Sequence, residues 1–184
     1  MALKNTENRY GSLSIKMHWL MFILIAATFA FIEFRVLFEK GTATRDLFKM
    51  WHFMLGLSVL VMVLIRLYFR LTQLTPKITP PLSAMQEFTA KGAHLLLYSF
   101  MIAMPIAGWL ILSAEGKVIP FFGLELPALI TKNKDLGETI EEVHELVGLI
   151  GYYLIGFHAL AALIHHYIQK DDTLTRILPE KSDK

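Results

Sequence analysis

No cysteine occurs anywhere in the 184-residue chain. That excludes disulfides, iron–sulfur clusters, thiolate metal sites and the thioether attachment of c-type haem. Any haem here is therefore held non-covalently, through other ligands. Charge is scarce as well: Asp, Glu, Lys and Arg make up 18% of the residues, below the roughly one quarter usual in soluble domains. The net charge of +2 comes with no basic stripe, which argues against a nucleic-acid partner. There is no internal repeat and no low-complexity segment, and the length suits a single domain. Apolar residues take the place of what is missing, at 54% of the chain and a mean hydropathy of +0.47. This is the composition of a membrane protein.

Four apolar runs are each long enough to cross a hydrocarbon core, which takes about 20 helical residues. They predict an all-α, four-transmembrane-helix bundle with spans at about 16–36, 48–70, 92–114 and 142–169 in one domain covering 1–184. The first run, behind Lys4, Arg9 and Lys16, has the outline of a secretory signal but is longer than a signal core, so it reads as a retained span. Pro105 predicts a kink in the third, tolerable where neighbouring helices supply partners. Between the second and third runs, Pro76, Pro80 and Pro81 predict an irregular surface segment. Between the third and fourth, apolar patches alternating with charges predict a short helix lying on the membrane surface. Four spans place both termini on one side. Eleven Lys and Arg flank that side against seven on the other, so the positive-inside rule puts both termini in the cytoplasm.

The histidines carry the chemistry. The fourth run holds four of the seven, and His144 and His158 lie fourteen residues apart within it. At about 100° per residue that is close to four turns, so both rings leave one helix face. They stand roughly 21 Å apart along the axis, near opposite sides of the bilayer. Polar side chains inside a membrane face the bundle interior with a partner. By depth, His52 matches His144 near the outer surface and His18 matches His158 near the inner one. Two such pairs are what two stacked haems need, each iron taking imidazole from two helices. Zinc wants a tighter group of ligands. Interfacial histidines unrelated to one another are the plain alternative.

The second run adds to this. Arg66 and Arg70 follow His52 by fourteen and eighteen residues, on the same face. They are placed to pair with the propionates of the inner haem, as a guanidinium fork suits a carboxylate. Gly56 follows His52 by four residues and Gly148 follows His144 by four, so a flat macrocycle can lie against either helix. His94 and His165 lie on the inner side and read as contacts to a quinone or a propionate. His165 shares the face of His158 and stays open as its replacement. His166 points away and reads as interfacial.

These residues resemble the bacterial cytochrome b561 family. The likeness runs from about Ser14 to Pro179 through SIKMHWL, the EFR after the first run, MWHFMLG, AHLLLYSFMIAMPIAGW, and HELVGLIGYYLIGFHALAALIHHY followed by KDDTLTRILP. The fourteen-residue histidine pair is shared with the di-haem membrane subunits of formate dehydrogenases and nickel hydrogenases. The short chain and its ending favour the stand-alone cytochrome. The resemblance implies two b haems per chain, ligated at His18, His52, His144 and His158, in the bacterial inner membrane. It further implies electron exchange with ubiquinone and, as in some members, superoxide oxidase activity. For a superoxide donor, cationic steering would come from Arg35, Lys117, Lys132 and Lys134 on the outer side. The other reading is an electron-relay and anchor subunit of a larger dehydrogenase or hydrogenase. A haem-free scaffold would be colourless when pure. The donor, the direction of electron flow and the oligomeric state are not legible in the residues.

Overall fold

The computed structural model describes residues 2–179, and within them the chain is mostly helical. Four long helices follow in order: α1 (Ser12–Phe34), α2 (Ala43–Thr72), α3 (Ala84–Glu115) and α4 (Lys134–Ile164). The last continues into a π turn, His165–Gln169. All four are long and apolar enough to cross a membrane, with mean hydropathy between 1.9 and 2.2 in their apolar windows. The bundle of four spans expected from the sequence is the architecture found.

Each helix begins several residues before its apolar run. An apolar run marks only the hydrocarbon-crossing part, whereas caps decide where a helix starts. Thr42 accepts from the Arg45 amide at 3.4 Å, and Asn133 accepts from the Leu136 amide at 3.1 Å. Ser83 and Gln86 form a reciprocal capping box at the head of α3. Losing such a cap costs about 1 kcal/mol of helix stability. Helix α3 continues through Pro105.

The connection between α3 and α4 departs from the expected surface helix. It forms a two-stranded antiparallel hairpin, β1 (Ile119–Phe121) with β2 (Leu124–Leu126), in which Ile119 pairs with Leu126 and Phe121 with Leu124. The two turn residues, Phe122 and Gly123, both have positive φ, 48° and 86°, the twist that suits a two-residue hairpin. Pro120 also denies a helix an amide at this point. Ile119 is buried against Leu57 of α2 and Leu112 of α3, so the hairpin is docked on the end of the bundle where α3 gives way to α4.

Packing follows chain order: α1 lies on α2, α2 on α3, and α3 on α4. Among the described residues α1 and α4 are not a closely packed pair. They meet through side chains, with the Phe29 and Tyr152 rings 4.3 Å apart and the Tyr152 hydroxyl donating to Glu33 Oε1 at 2.8 Å. Midway through the bundle, Met21, Val59, Val63 and Met101 form the buried apolar cluster. Helix α4 comes in close at Gly151, where a Cβ would collide with the Phe100 ring. Outward, large side chains such as Phe22, Val61, Leu95 and Phe157 are exposed, a surface that lipid solvates and water would not.

Candidate functional site

The histidines gather in two layers, above and below the central apolar cluster. In the layer nearer the hairpin, called outer after the orientation expected from the sequence, His52 of α2 faces His144 of α4, with ring centroids 6.3 Å apart and planes at 82°. In the inner layer His18 of α1 faces His158 of α4 at 6.4 Å and 59°. An imidazole–metal bond of about 2.0 Å on each side, added to the reach from each nitrogen to its ring centre, spans roughly this separation. The rings paired by depth thus lie within reach of one another, although His94 comes closer still to His158, at 5.8 Å. No group of three or more His, Asp or Glu able to hold a bare metal ion occurs among the described residues.

The second nitrogens tell which atom is free. His52 Nδ1 lies 2.9 Å from the Thr28 carbonyl oxygen of α1. A carbonyl only accepts, so Nδ1 carries the proton and Nε2 presents its lone pair. Metal-ligating histidines are commonly oriented by such a bond. By contrast, His18 Nδ1 and His144 Nδ1 are buried without a hydrogen-bond partner among the described residues. A buried polar atom left unpaired is costly and calls for a missing group.

The outer layer opens into a cavity of about 600 Å³ between α1, α2, α3 and α4. Its walls include His52, His144, Gly56, Gly108 and Gly148. A Cβ on Gly56 would project into open space, and one on Gly148 would meet only the Met104 methyl at 3.7 Å. Both glycines thus leave room for a flat group against their helices. Paired imidazoles, orphaned ring nitrogens and this glycine-lined space fit a haem.

Charges ring the cavity. Arg35 and Lys117, two of the four cations singled out in the sequence, line it, and Lys40, Arg45 and Lys49 join them. Lys132 instead lays its aliphatic chain against Gly116, and Lys134 pairs with Glu138 at 3.4 Å. Glu33, Glu115, Glu141 and Glu145 also line the space. Lys117 pairs with Glu115 at 2.9 Å, and Arg45 donates to the Phe38 carbonyl at 2.8 Å. Lys40, Arg45 and Lys49 escaped notice because they belong to the connection and first turns before the second apolar run.

At the inner layer the structure adds a third ring. His94 of α3 stands 5.8 Å from His158, although depth alone gave it no partner. Arg66 is close enough to act electrostatically on His18, His94 and His158. Arg70 acts on His94 as well, and its Nη1 donates to Thr75 Oγ1 at 2.8 Å and Tyr10 Oη at 3.2 Å. His165 pairs with Asp171 at 2.5 Å, and His166 packs edge-on against Tyr167. Nothing in the apolar pattern marked Asp171, which lies beyond the helix end.

A model of the prokaryotic cytochrome b561 family matches residues 9–180. The chain is 37% identical over 174 residues to the protein named cytochrome b561 homolog 1 of Escherichia coli (strain K12), covering 95% of this chain and 99% of that one. It is 39% identical over 178 residues to the probable superoxide oxidase CybB of Yersinia pestis, covering 95% and 98%. To cytochrome b561 homolog 2 of Escherichia coli (strain K12) it is 31% identical over 183 residues, covering 99% and 97%. Four membrane-crossing helices, facing histidine pairs and these likenesses converge: the chain belongs to the prokaryotic cytochrome b561 family of membrane electron-transfer proteins, a family that implies b-type haem.

Proposed function

We propose that this protein carries two b haems, one held by His52 and His144 and one by His18 and His158. On this reading it passes electrons from superoxide to ubiquinone across the bacterial inner membrane. The observation that carries it is the pair of histidine couples at 6.3 and 6.4 Å in separate layers of one bundle. A haem held at each couple by its two imidazoles would supply one-electron chemistry. The likeness to a probable superoxide oxidase favours superoxide as the donor.

The chain's own residues then divide the work. Thr28 holds His52 with Nε2 toward the cavity. Arg35, Lys40, Arg45 and Lys49 attract an anion to the outer cavity against Glu33, Glu141 and Glu145 on the same walls, Lys117 being paired with Glu115, and apolar walls focus the field. Met21, Val59, Val63 and Met101 keep water out of the layer between the couples. Arg66, with Arg70 beside it, offers guanidinium groups to the inner propionates. His94 and His165 flank the inner couple as contacts for a quinone or a propionate. Both termini lie in the cytoplasm, the side favoured by the distribution of Lys and Arg. The balance is two superoxide anions, one quinone and two protons giving two oxygen molecules and one quinol.

The test is a pair of rapid-mixing experiments on the purified, haem-loaded protein. Superoxide should reduce the oxidised protein, and a soluble ubiquinone analogue should reoxidise the reduced one. Raising the ionic strength should slow the first reaction, because salt screens the cationic rim. Reoxidation by quinone without reduction by superoxide would favour the relay-subunit reading, and a large catalytic subunit should then co-purify.

A further inference from the structure

The bundle closes where its first and last helices meet, and that seam is built unlike the others. Helices α1 and α2, α2 and α3, and α3 and α4 follow one another in the chain and pack closely. No connection joins α1 to α4, and among the described residues they are not closely packed along their lengths. Side chains span the seam at two heights. Toward the outer end the Tyr152 hydroxyl donates to Glu33 Oε1 at 2.8 Å, and the Phe29 ring lies 4.3 Å from that of Tyr152. At the inner layer His18 faces His158 at 6.4 Å. Glu33 follows His18 by fifteen residues, so the two fastenings stand about 22 Å apart along α1.

The inner end is tied a second time, by the tail beyond α4. Trp19 Nε1 donates to the Ile177 carbonyl at 2.9 Å, and Arg9 Nη2 donates to the Leu178 carbonyl at 2.9 Å. The outer fastening is of another kind. Tyr152, Glu33 and Phe29 line the outer cavity, yet Tyr152 is 40% exposed and Glu33 is exposed as well. The pair therefore stands between the cavity and what surrounds the bundle. Apolar packing closes the other seams; a hydrogen bond across a loose one can be undone and remade. A rigid macrocycle held between α2 and α4 must pass between two helices or over the end of the bundle. Part of that end is covered by the hairpin, where Ile119 sits between Leu57 and Leu112.

We propose that the α1–α4 seam is the lateral entrance for the outer haem, hinged by the tail at its inner end and latched by Tyr152 and Glu33 toward its outer end. This rests on the two-haem reading above. His18 and His158 belong to the two helices that must part, so an iron shared by them staples the seam. The outer site is therefore filled first and the inner one second. Release breaks the bonds from His52 and His144 to the iron. Each imidazole keeps its lone pair, and no electron passes to or from the protein.

The test follows haem transfer from the purified, haem-loaded protein to excess apomyoglobin, reading each haem by the spectral component that His52→Ala or His18→Ala removes. Tyr152→Phe should keep the wild-type spectrum and release the outer haem about fivefold faster, as loss of one ordinary hydrogen bond allows. Glu33→Ala should do the same, and the double variant no more than either, because both changes remove one shared bond. Glu33→Gln keeps an acceptor oxygen and should hold the outer haem as the wild type does. His18→Ala lies in the other layer but removes the staple, so it should also speed outer release. Outer release at the wild-type rate in both Tyr152→Phe and Glu33→Ala would overturn the latch, and no acceleration in His18→Ala would overturn the order of filling. A latch variant purified with the inner haem alone has already lost the outer one and supports the seam; one that keeps only the outer haem overturns it. A wild type without haem at either couple would instead sink the two-haem reading, whatever the seam does.

Discussion

His52 Nδ1 stands 2.9 Å from the carbonyl oxygen of Thr28, so α1 orients a ring that α2 carries and that α4 faces through His144. Three helices therefore share the construction of one site. The carbonyl leaves Nε2 of His52 as the free lone pair, whereas His144 and His18 each bury a ring nitrogen that has no partner among the described residues.

The pairing predicts how single replacements group. His52→Ala and His144→Ala should each lose or alter one haem, the same one, while His18→Ala and His158→Ala should alter the other. Haem quantification and reduced-minus-oxidised spectra of the purified variants check this. The wild type should hold two haems per chain, extractable by acid acetone because no cysteine tethers them. His165→Ala should retain both. Damage to one common haem by His52→Ala and His158→Ala would sink the assignment.

Space predicts a second outcome. A Cβ on Gly56 would enter open space in the outer cavity, where a flat macrocycle needs close approach to the helix. Gly56→Leu should fill that space, exclude the outer haem and leave the inner one. The readout is a fall from two haems to one per chain with helical content unchanged by circular dichroism. Two haems retained in Gly56→Leu would mean that the macrocycle does not lie against α2.

Arg66 and Arg70 should differ in effect. Arg66 acts on all three inner histidines, whereas Arg70 acts on His94 but not on the two ligand candidates His18 and His158, and its Nη1 is held by Thr75 and Tyr10. Removing a cation from beside the inner haem stabilises its oxidised form and lowers its potential. Arg66→Ala should shift the reduction equilibrium on the order of tenfold, about 59 mV for one electron, and Arg70→Ala less. A redox titration with optical detection measures both, and equal shifts would contradict the placement.

Asp171 makes a prediction in acid. Burial pushes its carboxyl pKa up, but hydrogen bonds from His165 and Thr173 outweigh that and hold it below the ordinary carboxylate value. A carboxyl depressed in the folded state stabilises the fold above its unfolded pKa, and that contribution is lost as pH falls through the folded value. Asp171→Asn should therefore unfold at a lower temperature than wild type near neutrality. The gap should narrow as the pH drops below the usual carboxylate range. Thermal unfolding followed at several pH values tests it, and a gap independent of pH would remove the ionised carboxylate from the account.

Much of the site was legible before any coordinates. His144 and His158 had to share a face because fourteen residues are close to four turns, and a helix repeats its geometry whatever surrounds it. Depth then sorted His18 and His52 to their layers, because in a membrane span depth is nearly a linear function of sequence position. His94 shows where that reasoning stopped. Its depth was readable, but the 5.8 Å approach to His158 depends on how α3 is rotated against α4. The α3–α4 connection misled for a related reason: its alternation of apolar and charged residues suits an amphipathic surface helix as well as a strand. The choice fell to Pro120, to the positive φ angles at Phe122 and Gly123, and to a berth for Ile119 between Leu57 and Leu112.

The sequence by itself determined four spans, the two layers of histidine, and the absence of any covalent tether, since each follows from the local periodicity or composition of one segment. Only the tertiary structure decided which rings face one another and at what distance. It also decided that Thr28 holds His52, that Lys40, Arg45 and Lys49 join Arg35 and Lys117 around one cavity, and that Asp171 closes under His165. Those relationships turn on helix rotation and on where loops return. Both are set by packing between segments far apart in the chain, so no window of residues contains them.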